Sequence, residues 1–91
     1  MAKSLTVPTV HLNGTSAASL SHAYYVAEKA LRGAIEMAQQ TAPNPRDYYV
    51  QDGSAFGKAS DEHIERLRKL VEVRAEFEVL YAAVVAVEEA Q

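Results

Sequence analysis

Apolar residues recur along this chain with helical spacing in two long stretches. In the first, Leu20, Tyr24, Ala27, Leu31, Ala34 and Ala38 follow one another at alternating intervals of four and three. That is the seam of a helix packed along one face. A second row, Val26, Ala30, Gly33 and Met37, lies beside it. Thr15 or Ser16 supplies a hydroxyl to cap the free amides of the first turn, and Pro43 forces the residue before it out of the helical region. The pattern predicts a helix over 16–42, roughly 40 Å long. Most of its seam residues are small, so a partner helix can come close while each position buries little area.

In the second stretch the inward seam reads His63, Leu67, Leu70, Arg74, Phe77, Tyr81 and Val84, flanked by Ile64, Val71, Val73 and Leu80. Asp61, Glu65, Arg68, Glu72 and Glu76 form the opposite, solvated face, with Glu65–Arg68 and Arg68–Glu72 at helical pair spacings. A helix over 58–90 is predicted, roughly 45–50 Å long. Ser60 followed by Asp61 and Glu62 is one start signal, while Ala55, Phe56 and Ala59 point to an earlier one.

Between the helices, a break from Ala42 to Gly57 holds two of the three prolines and two of the four glycines, giving a loop over 43–57. Residues 1–14 read as an extended arm closed by the turn signal Asn13-Gly14. The expected fold is all-α: two long antiparallel helices forming a helical hairpin with an extended N-terminal arm, a single domain. Val79 to Val87 is apolar all round, more than one partner helix can cover. Either the arm wraps this end, or subunits pack there into a helical-bundle oligomer. Assembly is the favoured expectation, because an exposed apolar patch of that size is a liability on a monomer.

Composition narrows the function classes. The absence of cysteine excludes disulfides, thiolate metal sites and a cysteine nucleophile. The longest apolar run has nine residues against the roughly 18 a membrane span needs, and the first residues lack the apolar core of a signal peptide. A soluble, cytoplasmic protein is expected. A net charge of −3 argues against a general nucleic-acid binder, which carries a basic stripe. No Gly-rich phosphate loop, no His-Glu-x-x-His or Glu-x-x-His spacing and no nucleophile elbow occurs, and His11, His22 and His63 fall in separate elements. No catalytic residue, metal site or cofactor is expected.

Binding chemistry concentrates in and beside the loop. Arg46 offers a planar fork of donors suited to a carboxylate or phosphate, and Tyr48 and Tyr49 offer flat apolar faces tipped by a hydroxyl. The alternative is that Arg46 pairs internally while one tyrosine plugs the end of the hairpin. His63 lies on the apolar seam, where a histidine is ordinarily a core or boundary residue. Arg74, on the same seam, requires a partner, with Glu28 and Glu36 on the facing helix, or a carboxylate of another subunit, as candidates. Arg66 and Lys69 share a face one step round, either a solvated surface or, with Arg46, a modest positive patch. The candidate binding residues are Arg46, Tyr48, Tyr49, His63 and Arg66.

The segments Val7-Pro8-Thr9-Val10-His11-Leu12-Asn13-Gly14-Thr15-Ser16 and Ala42-Pro43-Asn44-Pro45-Arg46-Asp47-Tyr48-Tyr49, with Glu62-His63 and Arg66 downstream, resemble a family of small uncharacterised phage and prophage proteins. The resemblance spans most of the chain and brings no known activity with it. It implies a phage-encoded accessory or minor structural protein acting in the host cytoplasm. The expectation is a non-enzymatic binding or inhibitor protein acting as a homo-oligomer on a small anionic, nucleotide-like signal or on a host protein. The alternative is a structural or assembly component of the virion. Secreted WXG-type hairpins share the length and shape, but this chain has no tryptophan, and Val85 stands where an acidic residue would follow Tyr81.

Overall fold

Helix α1 runs Ala17–Gln39 and helix α2 runs Ala55–Ala90 in the computed structural model, which describes residues 4–90. The first three residues of the expected arm, and Gln91, lie outside the described residues. Ser21 of α1 meets Glu88 of α2, and Glu28 meets Arg74, so rising positions in one helix face falling positions in the other. The helices are therefore antiparallel, and among the described residues there is no strand. The all-α helical hairpin is the observed fold, drawn out to 62 × 25 × 19 Å.

The helix ends follow from local chemistry. Ser16 caps α1, its Oγ accepting from the Ser19 amide at 3.1 Å. The helix stops three residues short of the expected position 42. Gln40 and Thr41 donate their amides to Met37 and Ala38, and the Thr41 hydroxyl donates to the Ala38 carbonyl at 2.7 Å. These shorter-range bonds close the last turn before Pro43 is reached. At the other end, α2 begins at Ala55, three residues before the expected 58. Asp52 Oδ1 accepts from the amide of Ser54 at 2.8 Å, and the Ser54 carbonyl accepts the Lys58 amide. This Asp-Gly-Ser turn starts the helix ahead of Ser60, and Gly57 is absorbed inside it.

The loop thus spans 40–54. Within it Pro45–Asp47 form one 3₁₀ turn, capped by Asn44, whose Oδ1 accepts from the Arg46 amide at 3.0 Å. Residues 4–14 of the arm have no regular structure, and Leu5, Pro8 and Val10 among them are half-buried. The arm ends in a turn in which the Gly14 amide donates to the His11 carbonyl. A Cβ at position 14 would come within 2.8 Å of the His11 ring, so glycine lets that ring fold back over the turn.

Packing between the helices is narrow. On α1 the inward positions are Ala17, Leu20, Ser21, Tyr24, Ala27, Glu28, Leu31, Ile35 and Ala38. Ala34, expected on this seam, is exposed, and Ile35 takes its place. A helix of 3.6 residues per turn drifts off a strict four-three alternation within three turns, which brings the next residue inward. Tyr24 packs on Phe77 with ring centroids 6.2 Å apart, and Tyr25 on Tyr81 at 6.1 Å. The α2 seam lies where expected, except that Tyr81 sits at its edge, more exposed than the rest. Among the described residues only Ala17 and Val84 are fully buried hydrophobic residues, whereas Ser21, Glu28 and His63 are buried polar ones. Within the apolar run, Val84 is 1% exposed while Val79 is 52% exposed, so the fold leaves much of it open.

Candidate functional site

Two groups of side chains carry chemistry, at different places along the hairpin. At the loop end, the rigid Pro45–Asp47 turn holds Arg46 and Tyr49 outward. Arg46 is exposed and makes no ion pair among the described residues, with Asp47 or any other carboxylate. Tyr48 turns the other way and is half-buried, its ring 6.3 Å from Phe56 in the first turn of α2. Tyr48 is therefore the plug at the loop end, while Tyr49 is 79% exposed beside an equally open Val50.

The two α2 candidates are placed apart from that tip. His63 is buried at 7% exposure, and its Nδ1 has no hydrogen-bond partner among the described residues. Arg66 is exposed and lines a shallow surface cleft with Glu62, Glu65 and Lys69, so two carboxylates lie beside two cations. Eleven residues of helix, about 16 Å of rise, separate Arg66 from the start of α2. The loop thus gathers Arg46, Tyr48 and Tyr49, and the fold does not bring His63 or Arg66 to them.

The second group is an ionic cluster midway along the helices. Glu28, buried on the inner face of α1, accepts from Arg32 Nη2 at 2.7 Å and from Arg74 Nε of α2 at 3.0 Å. Arg74 also holds Glu78 at 2.9 Å. The Arg32 hydrogen bond is the main force keeping the Glu28 carboxyl below the usual carboxylate range; burial pushes the other way, and the Arg74 bond adds to the lowering. The same contact raises the Arg32 guanidinium. Two carboxylates and two guanidiniums satisfy one another, so the cluster presents no unbalanced charge to a ligand. A cleft of about 290 Å³ opens beside it, lined by Tyr25, Glu28, Arg32, Glu78 and Tyr81, at the lower bound of ligand-sized cavities.

This arrangement works as a clasp. A buried carboxylate with its partners on both helices pins their axial register, since sliding either helix would strand a charge. Arg74 pointed to it in the sequence, and of its candidate partners Glu28 is the one found, with Glu36 making no ion pair among the described residues. Glu78 and the Tyr25–Tyr81 pair were not anticipated, although Arg74–Glu78 and Glu28–Arg32 both have the i,i+4 spacing that would reveal them. The Ser21 hydroxyl makes a second cross-helix bond, to Glu88 Oε1 at 2.6 Å.

Among the described residues, no three His, Asp or Glu side chains lie close enough to hold a metal ion, and no helix is long and apolar enough to cross a membrane. The molecule belongs to the class of all-α helical hairpins, with a mid-helix ionic clasp and a polar-aromatic loop end. No protein-family model, curated protein or solved structure matches the chain.

Proposed function

We infer that this chain is a non-enzymatic, phage-type binding protein that works as a homo-oligomer and recognises a host protein through its loop end. One observation carries the assembly part. Helices of 23 and 36 residues leave Val26, Met37, Ile64, Val71, Val79 and Val87 exposed while fully burying only two hydrophobic residues. A domain this small needs more apolar burial than that to stay folded, and self-association is the ordinary source.

For the loop end, shape favours a macromolecular partner over a small anion. Small ligands are held in concave, mostly apolar sites with converging polar groups. Arg46, Tyr49 and Val50 are exposed side by side on the loop, and exposed Tyr and Arg are the common anchors of protein interfaces. The runner-up is a virion structural or assembly component, supported by the same exposed helix faces.

Light scattering coupled to size-exclusion chromatography tests the reading. A closed oligomer of low copy number at micromolar concentration is expected, and a stable monomer refutes it. Open, concentration-driven growth transfers the weight to the virion role. A thermal-shift panel of nucleotides and cyclic nucleotides should be silent, since a ligand bound to the folded state raises its melting temperature by mass action. A saturable shift lost in Arg46→Ala would replace the protein partner with an anionic ligand.

A further inference from the structure

The outer surface of α1, turned away from α2, carries a second seam. Ala23, Val26, Ala30, Gly33 and Met37 follow at intervals of three, four, three and four, and all five are exposed. At 100° per residue they form one stripe, the a and d positions of a coiled coil. Val26 and Met37 are 49% and 60% exposed, and nothing lies within 4 Å of where a Gly33 side chain would begin. Alanine and glycine at the middle of the stripe allow a facing helix to approach to the short end of the usual 8–10 Å separation.

The charges beside this seam select what can cover it. Every charged side chain of α1, namely Glu28, Lys29, Arg32 and Glu36, lies on one flank of the stripe or in the clasp. Lys29 and Glu36 stand at the two charged g positions, with His22 at a third, and the e positions on the other flank are Ala27 and Ala34. Neither charged g residue is used within the chain: Lys29 meets only the face of Tyr25 at 5.9 Å, and Glu36 makes no ion pair or hydrogen bond among the described residues. In a parallel pair each g residue would face an e residue, alanine or threonine, and no charge would be matched. In an antiparallel pair g faces g. Lys29 then meets Glu36 of the other copy, twice by symmetry, and the e flanks bring alanine against alanine.

We propose that the outer face of α1 is an interface for a second copy of this chain, joined antiparallel about a two-fold axis, with Ala30 packed against Gly33 and Lys29 paired with Glu36 across it. The proposal rests on the homo-oligomer reading above and names its surface and direction. In this register Val26 of one copy lies opposite Met37 of the other. Val26 and its own counterpart are separated by 11 residues, about 16 Å along the axis.

The chain has no cysteine, so single cysteines report contacts without background. Val26→Cys mixed with Met37→Cys should form a disulfide-linked pair on mild oxidation, while either variant alone stays unlinked. Linking of Val26→Cys with itself overturns the antiparallel direction. Absence of every one of these links in a chain that light scattering shows to be oligomeric overturns the surface and leaves the oligomer reading standing. A monomeric chain overturns both. As an independent arm, Glu36→Lys should weaken self-association about tenfold by setting lysine against lysine, and Lys29→Glu with Glu36→Lys should restore it. Both variants sit on an exposed face, so a far-UV spectrum like that of the parent is expected, and failure of the double exchange to restore association refutes the pairing.

Discussion

Val84→Ala is the most direct test of where the hairpin draws its stability. Among the described residues Val84 is the one large side chain almost completely withdrawn from water, at 1% exposure, in a structure with a very small apolar core. Removing two methyl groups forfeits about 1.6 kcal/mol of burial. The space left behind adds a cavity cost, because the facing helix relaxes only in part. Alanine's higher helix propensity returns about 0.5 kcal/mol. The net loss is about 2 kcal/mol, and for a domain of this size that lowers the melting temperature by roughly 8–16 °C. Val79→Ala, five residues earlier on the same helix, is the control. At 52% exposure it forfeits about half the burial, about 0.8 kcal/mol, and recovers most of that through propensity. Far-UV circular dichroism melts at one fixed protein concentration read both, which holds any association constant. Equal melting temperatures for the two variants would refute the inference that Val84 anchors the packing of α2 on α1.

Acid should loosen the clasp. Glu28 titrates below its ordinary value of 4.5 in the folded chain, so its contribution is complete above that value and is lost as the pH falls through the lowered one. Glu28→Gln should flatten that acid-side fall in melting temperature, and an unchanged slope would show that the fall belongs to other carboxylates. His63→Leu should stabilise the chain by about 1 kcal/mol, because it replaces a buried, unpartnered Nδ1 with an apolar side chain of similar size; a destabilised variant in a denaturant titration would mean that this nitrogen has a partner. Tyr48→Ala should lower the melting temperature through the lost packing on Phe56, while Tyr49→Ala should leave it within about 2–4 °C of the parent, the effect expected at an open surface. Reversed effects would exchange the plug and the outward-facing side chain.

Some of the candidate site was legible before the fold, and the reasons differ by residue. Arg74 announced the clasp, since a guanidinium on an apolar seam must find a carboxylate, and Glu28 was within reach on the facing helix. The two loop tyrosines could not be told apart in the sequence. Which one turns inward depends on where α2 begins, and the Asp52 turn starts it early enough to put Phe56 under Tyr48. For Arg66 the sequence leaves a solvated charged face and a positive patch shared with Arg46 both open, and its neighbours Glu62, Glu65 and Lys69 fit the solvated face.

By itself the sequence determines two helices, the break between them and the hairpin they make. Those outcomes rest on short-range physics: proline geometry at 43 and 45, hydroxyl and carboxylate caps, and a hydrophobic period that acts over one or two turns. Only the tertiary structure decided that Ile35 and not Ala34 faces α2, and that Glu28 sits inside. It also decided that the apolar run from Val79 to Val87 fully buries a single residue. These depend on how two long helices rotate and slide against each other, and small angular drifts summed over many residues set which side chain meets its partner and which is left facing outward.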